Sequence, residues 1–153
     1  MNARKFGRGV ALALRYIVGA FFTFAAINKW RENYLFSDRL YRILAERLQE
    51  IDPESVGAWF IEHIGLPHYQ ALAWMVCWGE TFIALGLLFG FMTRGAAIGA
   101  VLFNLMLTVG GYYDASLIVL TLMYLPAVFL PTGQWQGLDR IMLRRYPGSI
   151  WFR

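Results

Sequence analysis

The chain has 153 residues, of which 58% are hydrophobic and 17% aromatic, with a formal net charge of +4. That apolar share exceeds the near-half usual for a soluble domain, so the length describes one membrane domain over residues 1–153 rather than a water-soluble one. The excess positive charge is confined to alternate loops, which marks it as a topology signal and excludes a nucleic-acid partner.

Four apolar stretches run in chain order over Val10–Ile27, Tyr69–Met92, Ala96–Tyr112 and Ala115–Leu130. Each approaches the roughly 20 residues that a helix needs to cross hydrocarbon. Arg4, Lys5, Arg8, Arg94, Arg140, Arg144, Arg145 and Arg153 flank them on one side, opposed only by Asp139. The other loops carry Lys29, Arg31, Arg39, Arg42 and Arg47 against a larger set of acids. The positive-inside rule then predicts an inner (plasma) membrane protein with both termini cytoplasmic. Arg15 interrupts the first apolar stretch and no small-residue cleavage site follows it, so that stretch is expected to be retained as a span rather than cleaved as a signal peptide.

Between the first two spans, residues 28–67 form an extracytoplasmic insertion. Leu40, Ile43, Leu44, Leu48 and Ile51 recur at helical spacing, with Arg39, Arg42, Glu46 and Glu50 on the other faces, which predicts an amphipathic helix. Asp52-Pro53-Glu54 predicts a second, short helix capped by Asp52, with Val56, Phe60 and Ile64 as its apolar stripe. Trp30, Trp59 and Tyr69 are expected at interfacial depth. His63 and His68 lack the spacing of a helical metal pair and read as surface groups. So do Lys29 and Arg31, although together these cations suit an anion at the outer face.

In the second span Glu80 stands at the middle, where a carboxylate is tolerated only if other helices shelter it. Its face carries Ala73, Val76, Cys77, Ala84 and Leu87. Ala11, Arg15, Gly19, Thr23 and Ala26 form a matching stripe on the first span; Ala97, Ala100, Asn104, Thr108 and Gly111 form one on the third. Small residues with an occasional polar group are how membrane helices pack and bond to one another. The expectation is that Arg15 reaches Glu80, with Asn104 in support. Gly86 with Gly90, and Gly95 with Gly99, have the small-x-x-x-small packing spacing. Pro126 should kink the fourth span by freeing the carbonyl of Leu122, with Thr121 and Tyr124 near enough to bond there. The tail, residues 131–153, reads as a basic interfacial helix on anionic lipid, with Trp135, Leu138, Ile141 and Met142 among arginines. The single Cys77 can form no intrachain disulfide, and the sequence has no metal spacing, hydrolytic triad or Gly-rich phosphate loop.

The fold class these features define is all-α, an integral membrane four-helix bundle with a helical insertion between spans 1 and 2. Three motifs resemble the DoxX/DoxD family of four-span membrane proteins. They are the run from Arg15 through Gly19 and Phe22 to Lys29-Trp30, the run Gly79-Glu80 through Gly86 and Gly90 to Thr93-Arg94, and the tail Gly133-Gln-Trp-Gln-Gly137-Leu138-Asp139. The long insertion ending in Gly65-Leu66-Pro67 is most similar to the DoxD-like branch, which includes the small subunit of thiosulfate:quinone oxidoreductase. The resemblance implies a membrane subunit that passes electrons from a reduced sulfur compound to quinone beside a partner subunit.

Such a subunit needs an apolar cleft with one group to bind a carbonyl oxygen and one to exchange a proton. Glu80 and Arg15 are the expected catalytic pair, Asn104 a supporting group, and Trp74, Trp78 and Tyr16 the expected walls for a bound quinone. No flavin, haem or metal motif is present to relay electrons. Expected partners are lipids and other membrane or extracytoplasmic subunits. The rival reading is a non-catalytic accessory subunit of a larger respiratory or photosynthetic complex, which predicts no cavity near Glu80. A small-solute carrier is disfavoured by the lack of an inverted repeat.

Overall fold

The computed structural model describes residues 3–112 and 114–152. Arg153 and the side chain of Arg4, both part of the charge pattern, lie outside the described residues. The described residues are all-helical: α1 (Ala3–Arg31), α2 (Arg39–Glu50), α3 (Val56–Phe60), α4 (Tyr69–Phe89), α5 (Thr93–Val109), α6 (Ala115–Phe129), α7 (Thr132–Trp135) and α8 (Asp139–Arg145). A 3-10 turn at Tyr34–Phe36 precedes α2, and a wide π-type turn at Ile61–Gly65 continues α3. The four long helices form a ring in which α1 packs on α4 and α6, and α5 packs on the same two.

The packing is inverted relative to a soluble bundle. Phe21, Phe24, Phe82, Leu85, Leu102, Leu105, Ile118 and Leu122 face outward, whereas the interior is built from Ala73, Ala84, Ala96, Ala97 and Ala100 around Val18, Phe22 and Leu87. An apolar solvent explains this order, because small residues let backbones approach where lipid already satisfies the large side chains. Helices α1 and α4 are long and apolar enough to cross a membrane, and α5 and α6 are shorter, at 17 and 15 residues. The small-residue stripes expected on spans 1, 2 and 3 are the faces that are buried. A β-carbon on Gly86 would lie 2.5 Å from that of Ala96, so α4 and α5 touch there backbone to backbone.

At the insertion end α4 rises well past α1. Trp30, in the last turn of α1, donates from Nε1 to the Thr81 hydroxyl at 3.0 Å and meets the Trp78 ring edge-on. The free upper half of α4 buries Ala73, Val76 and Cys77 against Tyr34, Leu35, Leu40, Leu44 and Ile61 of the insertion. Glu80 is therefore the midpoint of α4 but stands level with the end of α1, not at the centre of the bundle.

Two expectations for the insertion change. Asp52 accepts from the Glu54 amide in a local turn, and Ser55 caps α3 by accepting from the Ala58 amide at 3.1 Å. The fully buried face is Gly57, Ala58, Ile61 and Gly65; of the expected stripe, Phe60 packs partly buried against the core under the insertion and Ile64 is half-buried, whereas Val56 is exposed. The amphipathic reading of α2 holds, with Leu40 and Leu44 buried. Arg47 fastens α2 to the far side of the bundle by donating to the Gly111 carbonyl and lying over the Tyr112 ring.

At the tail end, α7 and α8 fold back into the bundle. The Leu138 and Asp139 amides donate to the Phe89 and Gly90 carbonyls at the end of α4. Gly90 has a positive φ of 63° and lies so close to Gly137 that a β-carbon would sit 2.8 Å from its Cα, so the crossing accepts glycine only. The tail is thus part of the bundle rather than only an interfacial helix. Pro126 lies inside α6 as expected. Thr121 and Tyr124, however, direct their hydroxyls to the Leu117 and Ala100 carbonyls, not to Leu122.

Candidate functional site

Where α1 ends below the insertion, a cleft of about 550 Å³ opens between α1, α2, α4 and α5. Apolar walls come from Phe24, Leu40, Leu44, Val76, Phe103 and Met106. Polar groups gather at the insertion end: Lys29, Glu80, Tyr34, Asn28 and Tyr112, with Glu32 and Arg39 at the rim. Phe24 is both a wall and 69% exposed on the outer face of α1. No residue of α6 lines the cleft.

An ion pair stands at the polar end of the cleft. Lys29 Nζ donates to both Glu80 carboxylate oxygens at 2.8 and 2.9 Å. The Glu80 side chain is 4% exposed and that of Lys29 23%, so the carboxylate is sheltered while the ammonium faces the cleft. Glu80 sits between two apolar cores, one under the insertion around Cys77 and one around Ile83, Ala84 and Leu87. The fork of hydrogen bonds from Lys29 is what makes a charge tolerable there. Lys29 also occupies the last turn of α1, where the carbonyl end of the helix dipole favours a cation. The Tyr34 ring lies 5.8 Å from Lys29 Nζ. Burial pushes its phenol well above the ordinary value, with Cys77 and Glu80 nearby adding to the rise, so it remains a protonated hydrogen-bond donor.

Of the residues expected to make the site, Glu80 alone lines the cleft. Arg15 does not meet it: the two lie at opposite ends of the bundle interior, Arg15 being about 21 Å along α1 from Lys29 at about 1.5 Å per residue. Its buried guanidinium donates to the Thr132 and Gln136 carbonyls, each at 2.6 Å, and ties α7 to α1. Tyr16 stacks under that guanidinium at 4.5 Å. Asn104 donates to the Leu117 carbonyl and the Thr121 hydroxyl at 3.0 Å and joins α5 to α6. Trp78 and Trp74 are exposed on the outer face, where they pack edge-on against Trp30 and Phe36.

Lys29 is the residue that sequence reasoning left on the surface. A signal was available, because a lone acid within a span demands a base, and Lys29 ends the first span on the insertion side. Both histidines are exposed as expected, His63 stacking on Trp59. No cluster of three metal-ligating side chains occurs among the described residues.

The DoxX family model matches residues 10–130 of the chain. No curated protein and no solved structure matches it.

Proposed function

The chain belongs to the DoxX family, a family of membrane proteins, and on that premise we propose that it is the membrane subunit of a quinone-linked oxidoreductase, with the cleft as its quinone site. The observation that carries this reading is the placement of the Lys29–Glu80 pair in a mostly apolar cleft. A membrane-dissolved ligand with an apolar body and a polar head suits such a cleft, where hydrogen-bonding groups gather at one end only. The Lys29 ammonium binds one carbonyl oxygen, with the Tyr34 hydroxyl as a second donor. Glu80 holds Lys29 in place and exchanges the proton that reduction of the carbonyl requires. Electrons come from a partner subunit that oxidises thiosulfate or another reduced sulfur compound. The chain sits in the plasma membrane with its basic tail end cytoplasmic and the insertion outside, where that partner docks.

The accessory-subunit reading expects the region of Glu80 to be filled, and the cleft weighs against it. The test is quinol formation in membranes containing the complete complex, with thiosulfate as donor. Glu80→Gln should lower the rate at least about a hundredfold, in the range of a lost general acid or base, while the complex still assembles. Near-normal activity in that variant would overturn the proton role.

A further inference from the structure

A second cavity, of about 420 Å³, lies at the tail end, remote from the cleft. It is lined by Trp135, Gln136, Gly137, Arg140, Ile141 and Arg144. We propose that it binds the phosphate headgroup of an anionic phospholipid.

Arg140 and Arg144 lie one turn apart on the same face of α8, so both guanidinium groups reach one headgroup. Arg8 brings a third cation to the rim, its guanidinium 4.7 Å over the Trp135 ring. None of the three forms an ion pair among the described residues. Asp139, the acid beside them in sequence, does not neutralise them. It is buried, and its two oxygens accept the Met92 and Thr93 amides at 2.7 and 3.0 Å. Three arginines around an aromatic floor match a phosphodiester, which guanidinium forks bind in pairs.

Depth and rim favour a lipid over free phosphate. Arg8 stands about 31 Å from Lys29 along α1 at about 1.5 Å per residue, close to the thickness of the hydrocarbon core, which puts the cavity at headgroup level. Ile141, which lines it and is 62% exposed, gives it an apolar edge along which an acyl chain can lie.

The full chain, purified in mild detergent, is incubated with equimolar dioleoyl phosphatidylglycerol and phosphatidylcholine, and retained lipid is read by native mass spectrometry. Phosphatidylglycerol should be preferred about tenfold or more, since each surface arginine contributes appreciably to anionic lipid affinity. Arg140→Gln with Arg144→Gln should lower the preference to about twofold or less, and Arg8→Gln alone, on a different helix, should lower it partway. Arg42→Gln, at the opposite end, should leave it unchanged. Equal retention of the two lipids, or an undiminished preference in the Arg140/Arg144 variant, overturns the site. Displacement of the lipid by millimolar inorganic phosphate overturns the lipid as occupant.

Discussion

Lys29 and Glu80 depend on each other more than on anything else around them. Removing one partner leaves the other charged and partly desolvated, which costs about 3 kcal/mol for a buried pair, whereas removing both leaves neither stranded. Glu80→Ala should therefore lower the thermal stability of the purified protein in detergent, and the double change Lys29→Met with Glu80→Ala should recover most of the loss. Additive losses in the double variant would show that the two do not act as a pair. Arg15 has a comparable structural role at the other end, but a fork geometry is essential to it because it serves two carbonyls of α7 at once. Arg15→Lys should accordingly destabilise by about 1–3 kcal/mol despite keeping the charge, measured in the same melting experiment.

These two residues also mark how far the sequence could be followed. Helical periodicity was sufficient to place Glu80 and Arg15 inside, because a stripe of small residues accompanies each. It was insufficient to say which base meets the acid, since that depends on how far α4 slides along α1. The offset is set by the insertion, whose Tyr34, Leu35, Leu40 and Leu44 pack against the upper half of α4. Trp78 is a different kind of miss. It precedes Glu80 by two residues, about 200° around the helix, so the periodicity itself already placed it on the outer face.

At the scale of elements, the tail is where secondary structure understates its role. The Asp139 carboxylate supplies the N-terminal cap of α5 from 46 residues away, and the α7–α8 segment in turn caps the last carbonyls of α4. A cap is sought in sequence just before the helix that it serves, so this one was invisible there. Met92, in the capping position itself, has a left-handed φ of 49°, a conformation that costs a non-glycine residue and is held by the amide it donates to Asp139. Asp139→Ala should destabilise the protein by about 1–2 kcal/mol and speed amide exchange first at Met92 and Thr93. Uniform exchange across all helices would instead mean that the tail is not a local clamp. The insertion has the matching role at the other end, where Arg47 joins α2 to the α5–α6 turn.

The whole molecule is a ring of four helices with the insertion packed over one end and the tail folded against the other. At the tail end the bundle interior is closed by hydrogen bonds among Arg15, Asp139 and the backbone, while the insertion end leaves a cleft with the sheltered Lys29–Glu80 pair inside it and the Arg39–Glu32 pair at its rim. An open, mostly apolar cleft with polar groups at one end is the form that a small-ligand site takes. Photocrosslinking tests it most directly, with an azido-quinone added to the purified protein in lipid nanodiscs and the labelled residues mapped by peptide mass spectrometry. Labels should concentrate on the cleft-lining residues of α1, α4 and α5, among them Ala25, Val76, Phe103 and Met106, and be lost when unlabelled quinone is in excess. Labels spread over the outward faces of all four helices and indifferent to competitor would contradict it.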